Sequence, residues 1–158
     1  DPEAMAGVLR RFDGLYHRCQ HLATVGGVRY IDENKATNVG AAVAAVASAA
    51  DHGKVVLIAG GVGKGQDFTP LAAALGPVGR AAVLMGRDAP RLAAVLEGVV
   101  PVVHVRDMDQ AVERAAALAE PGDAVLLAPA CASFDLYRDF AARGDAFAQA
   151  VQGRSLCL

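Results

Sequence analysis

The sequence predicts an α/β domain with a mostly parallel sheet of about five or six strands and helices on both faces. Two observations carry this. Five short apolar runs, at residues 28–31, 55–59, 81–85, 102–105 and 124–128, do not alternate with polar residues except at their ends. Strands covered on both faces read this way, whereas a half-solvated strand alternates. The stretches between the runs carry helical spacing and helix-start residues, so strand and helix alternate along the chain. That pattern is Rossmann-like.

Residues 1–16 stand outside the alternation. Pro2 to Arg10 reads as a helix capped by Asp1, and Asp13-Gly14 then breaks the chain. We expect the tail of a preceding domain plus a linker here, and the lack of an initiator Met fits a longer parent chain. After the run 28–31 and a polar loop, Val39, Val43 and Val46 sit at i, i+4, i+7 with Asn38 in the N-cap position. Thr69-Pro70 reads as an N-cap followed by Pro at the first helical position, opening a helix over 71–75. Residues 88–97 and 109–119 are further helices, each expected to begin with an acidic cap. Residues 153–158 lack periodicity and read as a frayed end, which leaves 17–152 as the domain.

The 158 residues suit one domain. With 15 Lys+Arg against 17 Asp+Glu and no block of like charge, neither nucleic acid nor an anionic membrane is expected as the main partner. A hydrophobic content of 54% excludes disorder. The longest weakly polar run, 39–50, is mostly Ala and falls short of the roughly 18–20 strongly apolar residues of a membrane span. Cys19, Cys131 and Cys157 are odd in number and lack Cys-x-x-Cys spacing, so a disulfide framework or zinc site is not expected and a reducing cytoplasm is.

In an open α/β sheet, ligands gather at the carboxyl ends of the strands, and three polar-rich loops fall there. In residues 32–38, Lys35, Thr37 and the amides of the following helix could hold an anion, or the loop is a solvated turn that caps the helix. In residues 60–67, four glycines let the backbone approach a ligand and Lys64 can reach an anionic group; the alternative is a flexible glycine turn. A P-loop would need Gly at 58 and Ser or Thr at 65, where the chain has Ile58 and Gly65, so nothing there would hold Mg²⁺. The dinucleotide fingerprint also fails, because Gly61-Val62-Gly63 is followed by Gly65.

In residues 129–135, Ser133 could cap a following helix while its hydroxyl and the next amides grip a carboxylate. Cys131 could be a nucleophile at that helix terminus, but no His lies nearby in sequence, which favours a small buried residue. His21, His52 and His104 read as surface or strand-edge residues without metal-ligand spacing. His17-Arg18 could reach a nucleotide bound between domains.

Taken in order, these segments are more specific than any one alone. His17-Arg18, Lys35-Ala36-Thr37-Asn38-Val39-Gly40, Gly60-Gly61-Val62-Gly63-Lys64 with Asp67-Phe68, and Pro129-Ala130-Cys131-Ala132-Ser133-Phe134-Asp135 resemble the C-terminal domain of the Mur ligase family, in its D-glutamate-adding branch. Phe140 and Arg143-Gly144 extend the match, which runs from about residue 13 to 151. The resemblance implies a cytoplasmic ligase of peptidoglycan synthesis. ATP phosphorylates the alanyl carboxylate of UDP-N-acetylmuramoyl-L-alanine, the amine of D-glutamate attacks the acyl phosphate, and phosphate departs. It further implies three domains, the second carrying the P-loop and Mg²⁺ site. This chain looks like the third, acting with the N-terminal and central domains of a monomeric ligase and inactive alone.

By position, the resemblance implies that Thr37 and Lys64 bind one carboxylate of D-glutamate. Ser133, with backbone amides near Phe134 and Phe140, binds the other. Lys35 is implied as the catalytic residue facing the phosphates; Arg18 and Glu33 join it on ATP, with Glu33 at the ribose. The family usually has Asp-Ser where this chain has Glu33-Asn34. Two carboxylate clamps make physical sense, since they leave the amine one direction to point. The competing readings are the third domain of a sister ligase such as folylpolyglutamate synthase, or a non-catalytic nucleotide-binding module. The 35–38 and 129–134 segments count against the first, and the missing dinucleotide fingerprint against the second.

Overall fold

Every residue of the strand Val55–Gly60 is buried, yet its neighbours along the chain face opposite ways. Val55, Leu57 and Ala59 join one apolar core, while Val56 and Ile58 join a second on the other side of the sheet. Alternation between two cores is what makes the strand apolar throughout.

The computed structural model describes residues 19–157. In order, the elements are β1 (Gln20–Val25), β2 (Val28–Asp32), α1 (Val39–Ala49), a 3₁₀ turn (Ala50–His52), β3 (Val55–Gly60), α2 (Thr69–Leu75), β4 (Gly79–Met85), α3 (Ala89–Leu96), β5 (Val102–His104), α4 (Met108–Leu118), β6 (Ala124–Leu127) and α5 (Phe140–Leu156). The sheet order is β1-β2-β6-β3-β4-β5. β1 runs antiparallel to β2, and the remaining pairs are parallel. Helices α1, α2 and α3 cover one face and α4 and α5 the other, as the sequence predicts. Ala42, Ala45 and Ala49 let α1 lie close on the sheet.

Strand β1 has no counterpart in the sequence expectations. It turns into β2 through Gly26 and Gly27, both at positive φ, the backbone a two-residue hairpin turn requires. Two helix starts also differ by a residue or two. Phe68 stands at the N-cap of α2, and Asp67 accepts the Thr69 amide at 2.9 Å. Helix α4 is capped by Asp107, which accepts from the Gln110 amide at 2.9 Å. The frayed end expected at 153–158 is helical as far as Leu156, because Phe147 and Val151 anchor α5 in the core in the preceding turns. The tail and linker expected at 1–16, with His17 and Arg18, lie outside the described residues. No helix among the described residues is long and apolar enough to cross a membrane.

Candidate functional site

Strand β6 lies between β2 and β3, and the chain leaves β2 and β3 toward one face but β6 toward the other. Such a reversal opens a crevice at the carboxyl edge of the sheet. The three polar loops meet there and are joined by backbone bonds. The Gly60 amide donates to the Pro129 carbonyl at 3.0 Å, and the Ala130 amide to the Ala36 carbonyl at 2.8 Å. Val62 and Ala132 exchange amide-to-carbonyl bonds at 2.9 Å each. Gly61 sits at φ 130°, where a Cβ would lie 2.2 Å from the Ala132 carbonyl oxygen, so only glycine allows this approach.

One side chain stitches all three loops. The Gln66 Oε1 accepts the Val39 amide at 2.8 Å, and its Nε2 donates to the carbonyls of Gly63 at 2.7 Å and Ala130 at 3.2 Å. A second tie comes from the buried Arg143 on α5. Its Nε donates to Asn34 Oδ1 at 2.5 Å, its Nη1 to the Cys131 carbonyl at 3.0 Å and its Nη2 to the Asn34 carbonyl at 3.2 Å. Burial lowers the Arg143 pKa to about 10, which leaves the side chain cationic at neutral pH. Asn34 Nδ2 in turn donates to the Phe140 carbonyl.

The expected site residues fall around this frame. Lys35 is exposed, with Nζ 5.5 Å from the centroid of the Phe140 ring, within cation–π range. Thr37 is half-buried, and its amide donates to the Lys35 carbonyl at 2.8 Å. Lys64 is exposed at the tip of the glycine loop, in a left-handed backbone conformation with φ 53°. Phe134 is 76% exposed and Phe140 40%. Glu33 stands apart on the β1 side, buried, its carboxylate accepting from the Cys19 thiol. Arg18 lies outside the described residues.

Two expectations change. Ser133 is buried and does not cap a helix. Its carbonyl accepts the Leu136 and Tyr137 amides in a turn, and the helix begins only at Phe140 under an Asp139 cap. Asp88 opens α3 without capping it, and accepts instead from the Gly63 amide at 2.6 Å. Cys131 is fully buried, and burial together with nearby Asp88 pushes its thiol up to about 12. Fully buried among core residues and with its thiol held protonated, Cys131 packs as a small apolar side chain, since the thiolate is the reactive form. His21, His52 and His104 are all exposed.

Under the rim, Gly60, Gly61, Ser133 and Arg143 line a niche of about 10 Å³, room for little more than a water. A ligand at this edge would therefore lie on the rim rather than in a closed cavity. No group of three or more His, Cys, Asp or Glu among the described residues could hold a metal ion.

Sequence comparison matches residues 17–131 to the family described as Mur ligase, glutamate ligase domain. The UDP-N-acetylmuramoylalanine–D-glutamate ligase of Nitrosococcus oceani is 57% identical over 149 residues, 94% of this chain and 33% of the relative. That of Methylococcus capsulatus is 55% identical over 152 residues, 96% of this chain and 33% of the relative. The chain thus spans about a third of the length of the curated relatives it matches. Among solved structures, a folylpolyglutamate synthase from Thermotoga maritima superposes with TM-score 0.65 at 14% identity, covering 97% of this chain and 34% of that one. The UDP-N-acetylmuramate–alanine ligase from the same organism gives 0.63 at 15%, covering 94% and 33%. At those identities the two structures share the fold, whereas the family match covers most of the chain: it belongs to the Mur ligase glutamate ligase domain family.

Proposed function

We propose that this chain is the C-terminal domain of a cytoplasmic, monomeric ligase that uses ATP to join D-glutamate to UDP-N-acetylmuramoyl-L-alanine through an acyl phosphate. The observation that supports it most is the joining of the three polar loops at one sheet edge by Gln66 and the Val62–Ala132 pair. Thr37, Lys64 and Ser133 then belong to one rim. In this reading Thr37 and the Lys64 ammonium take one carboxylate of D-glutamate, while Ser133 and amides near Phe134 and Phe140 take the other. Charge-assisted bonds of roughly 1.5–3 kcal/mol at each end fix the dianion and leave its amine pointed at the acyl carbon.

The exposed Lys35 ammonium suits a phosphate of ATP, and in this reading the Glu33 carboxylate meets the ribose hydroxyls only on giving up its bond from the Cys19 thiol. Arg18 completes the nucleotide contacts. Lys35 is the catalytic residue, offsetting charge on the phosphoryl oxygens. In this reading Mg²⁺ is held by the central domain of the ligase, as the family resemblance implies, and the rest of the ligase also binds the UDP sugar.

The test is phosphate release by the whole ligase with ATP, Mg²⁺, the UDP sugar and either enantiomer of glutamate. We expect turnover with D-glutamate and a rate lower by about a hundredfold or more with L-glutamate. Equal turnover of both would favour a sister ligase. This chain alone is expected to release no phosphate, and release that scales with its purified amount would overturn the assignment.

A further inference from the structure

Among the described residues five large apolar side chains are exposed, and three of them, Phe134, Leu136 and Phe140, fall in one stretch at the rim. The other two phenylalanines of the described residues, Phe68 and Phe147, are buried in the two cores. Phe134 is not left outside by a loose chain. The Ser133 carbonyl accepts the Leu136 and Tyr137 amides at 3.2 and 2.9 Å, and Asp135 Oδ2 accepts the Arg87 amide at 2.7 Å. The turn that carries the ring is thus pinned at two points and holds it outward. A contiguous exposed apolar patch marks a surface that meets something else. Strand β1 indicates what: running antiparallel to β2, it starts with Gln20 paired to Asp32, at the carboxyl edge where the rim lies. In the reading above, the other domains of the ligase join the chain ahead of β1, on the same edge as the patch.

We propose that the Phe134 ring, covered by those domains when the substrates are bound, keeps water from the acyl phosphate, so that the site chooses the amine of D-glutamate over water. This rests on the D-glutamate reading above. The niche under the rim takes little more than a water, so an acyl carbon at this edge lies outside it and depends for cover on what stands on the rim. A water that reached that carbon would break the same carbon–oxygen bond as the amine does. Its oxygen joins the acyl carbon, phosphate leaves and a proton is released. UDP-N-acetylmuramoyl-L-alanine is regenerated, with ATP consumed and no amide formed. Orienting the amine speeds the wanted reaction, but only a dry surface beside the intermediate suppresses the unwanted one. Phe134 suits that task because an aromatic side chain brings a large apolar area to one place, next to the clamp formed by Ser133.

The test compares Phe134→Ala and Phe134→Leu in the whole ligase, with inorganic phosphate and amide product measured in the same reaction at saturating D-glutamate. The wild type is expected to release about one phosphate per amide and Phe134→Ala at least about two, while Phe134→Leu stays near one because an aliphatic side chain still covers the site. A ratio near one for Phe134→Ala overturns the proposal whatever its rate, and so does equal uncoupling by the Ala and Leu variants. Phe134→Thr, read by the same criteria, serves if the Ala variant does not fold. A wild-type ligase that forms no amide from D-glutamate overturns the underlying reading instead, and this inference with it.

Discussion

The carboxylate of Asp88 accepts the amide hydrogen of Gly63 at 2.6 Å, so the residue that opens α3 holds a neighbouring loop instead of its own helix. One turn on, Arg91 donates to the Gln66 carbonyl at 2.7 Å and lies 5.3 Å from the centroid of the Phe68 ring. The start of α3 thus brackets Lys64 from both sides. Asp88→Ala is expected to raise KM for D-glutamate in the ligase by roughly three- to tenfold, with kcat for saturating substrate nearly unchanged. Steady-state kinetics would show it, and an unchanged KM would mean that Lys64 needs no such support.

Lys64→Ala removes the ammonium itself. The expected rise in KM for D-glutamate is larger, about ten- to a hundredfold, with KM for ATP within about twofold. If ATP suffers equally, Lys64 serves the nucleotide rather than the amino acid.

The thiol of Cys131, raised to about 12 by burial, should resist alkylation at pH 8 in the native protein and react only on unfolding. The exposed Cys157 should label readily. Peptide mapping after iodoacetamide separates the two. Rapid labelling of Cys131 in folded protein would place it at the surface.

Asp123 links three segments away from the site. It accepts from Arg80 Nε at 2.9 Å and from the amides of Glu120 at 2.9 Å and Lys54 at 3.2 Å. Burial alone would raise its pKa, but the Arg80 bond and the two amides prevail and hold it below the usual 3.8. Because the unfolded chain takes up the proton first, this stabilisation is full above the ordinary carboxylate value and is lost as pH falls through the depressed one. Asp123→Asn should lower Tm at pH 7 by roughly 4–8 °C. The gap from wild type should close as pH drops below 3.8. Thermal melts across pH 2.5–7, a range of about four to five units, suffice, and a constant gap would rule out the linkage.

Gly61 and Gly65 both have positive φ but differ in what surrounds them. A Cβ at Gly61 meets the Ala132 carbonyl oxygen at 2.2 Å, whereas at Gly65 nothing lies within 4 Å. Gly65→Ala should cost about 1–2 kcal/mol of backbone strain. Gly61→Ala should cost more and also part the Lys64 and Ser133 loops, so that denaturant midpoint and D-glutamate affinity fall together. Equal loss at both positions would mean that contact at Gly61 is unimportant.

Strands β2, β3, β4 and β6 were legible in the sequence because each divides its side chains between two apolar cores, and the edge strand β5 because Val102 and Val103 begin an apolar run. β1 was not, since this edge strand mixes exposed His21 and Thr24 with half-buried neighbours and gives no clean period. The three loops were legible from polar residues clustered at strand ends. The groups that hold them together were not: Gln66 reaches Ala130 across 64 positions, and Asn34 reaches Phe140 and Arg143 across 106 and 109. In sequence an Asn or Gln in such a loop looks like any solvated amide, because its partner is fixed only by the fold. Asp88 misled for the same reason, a helix-cap residue whose acceptor was claimed by another segment.

The strand at the middle of the sheet is the last one made. Until residues 124–127 arrive, the β1–β2 hairpin and the β3–β4–β5 ribbon are two fragments with raw edges facing each other. Such edges invite pairing with other chains, and insertion across so long a stretch of sequence is slow. The nascent protein therefore meets its greatest hazard just before β6 slots in, and the same event unites the rim. A molecule that has escaped aggregation has, by that step, brought its three loops together.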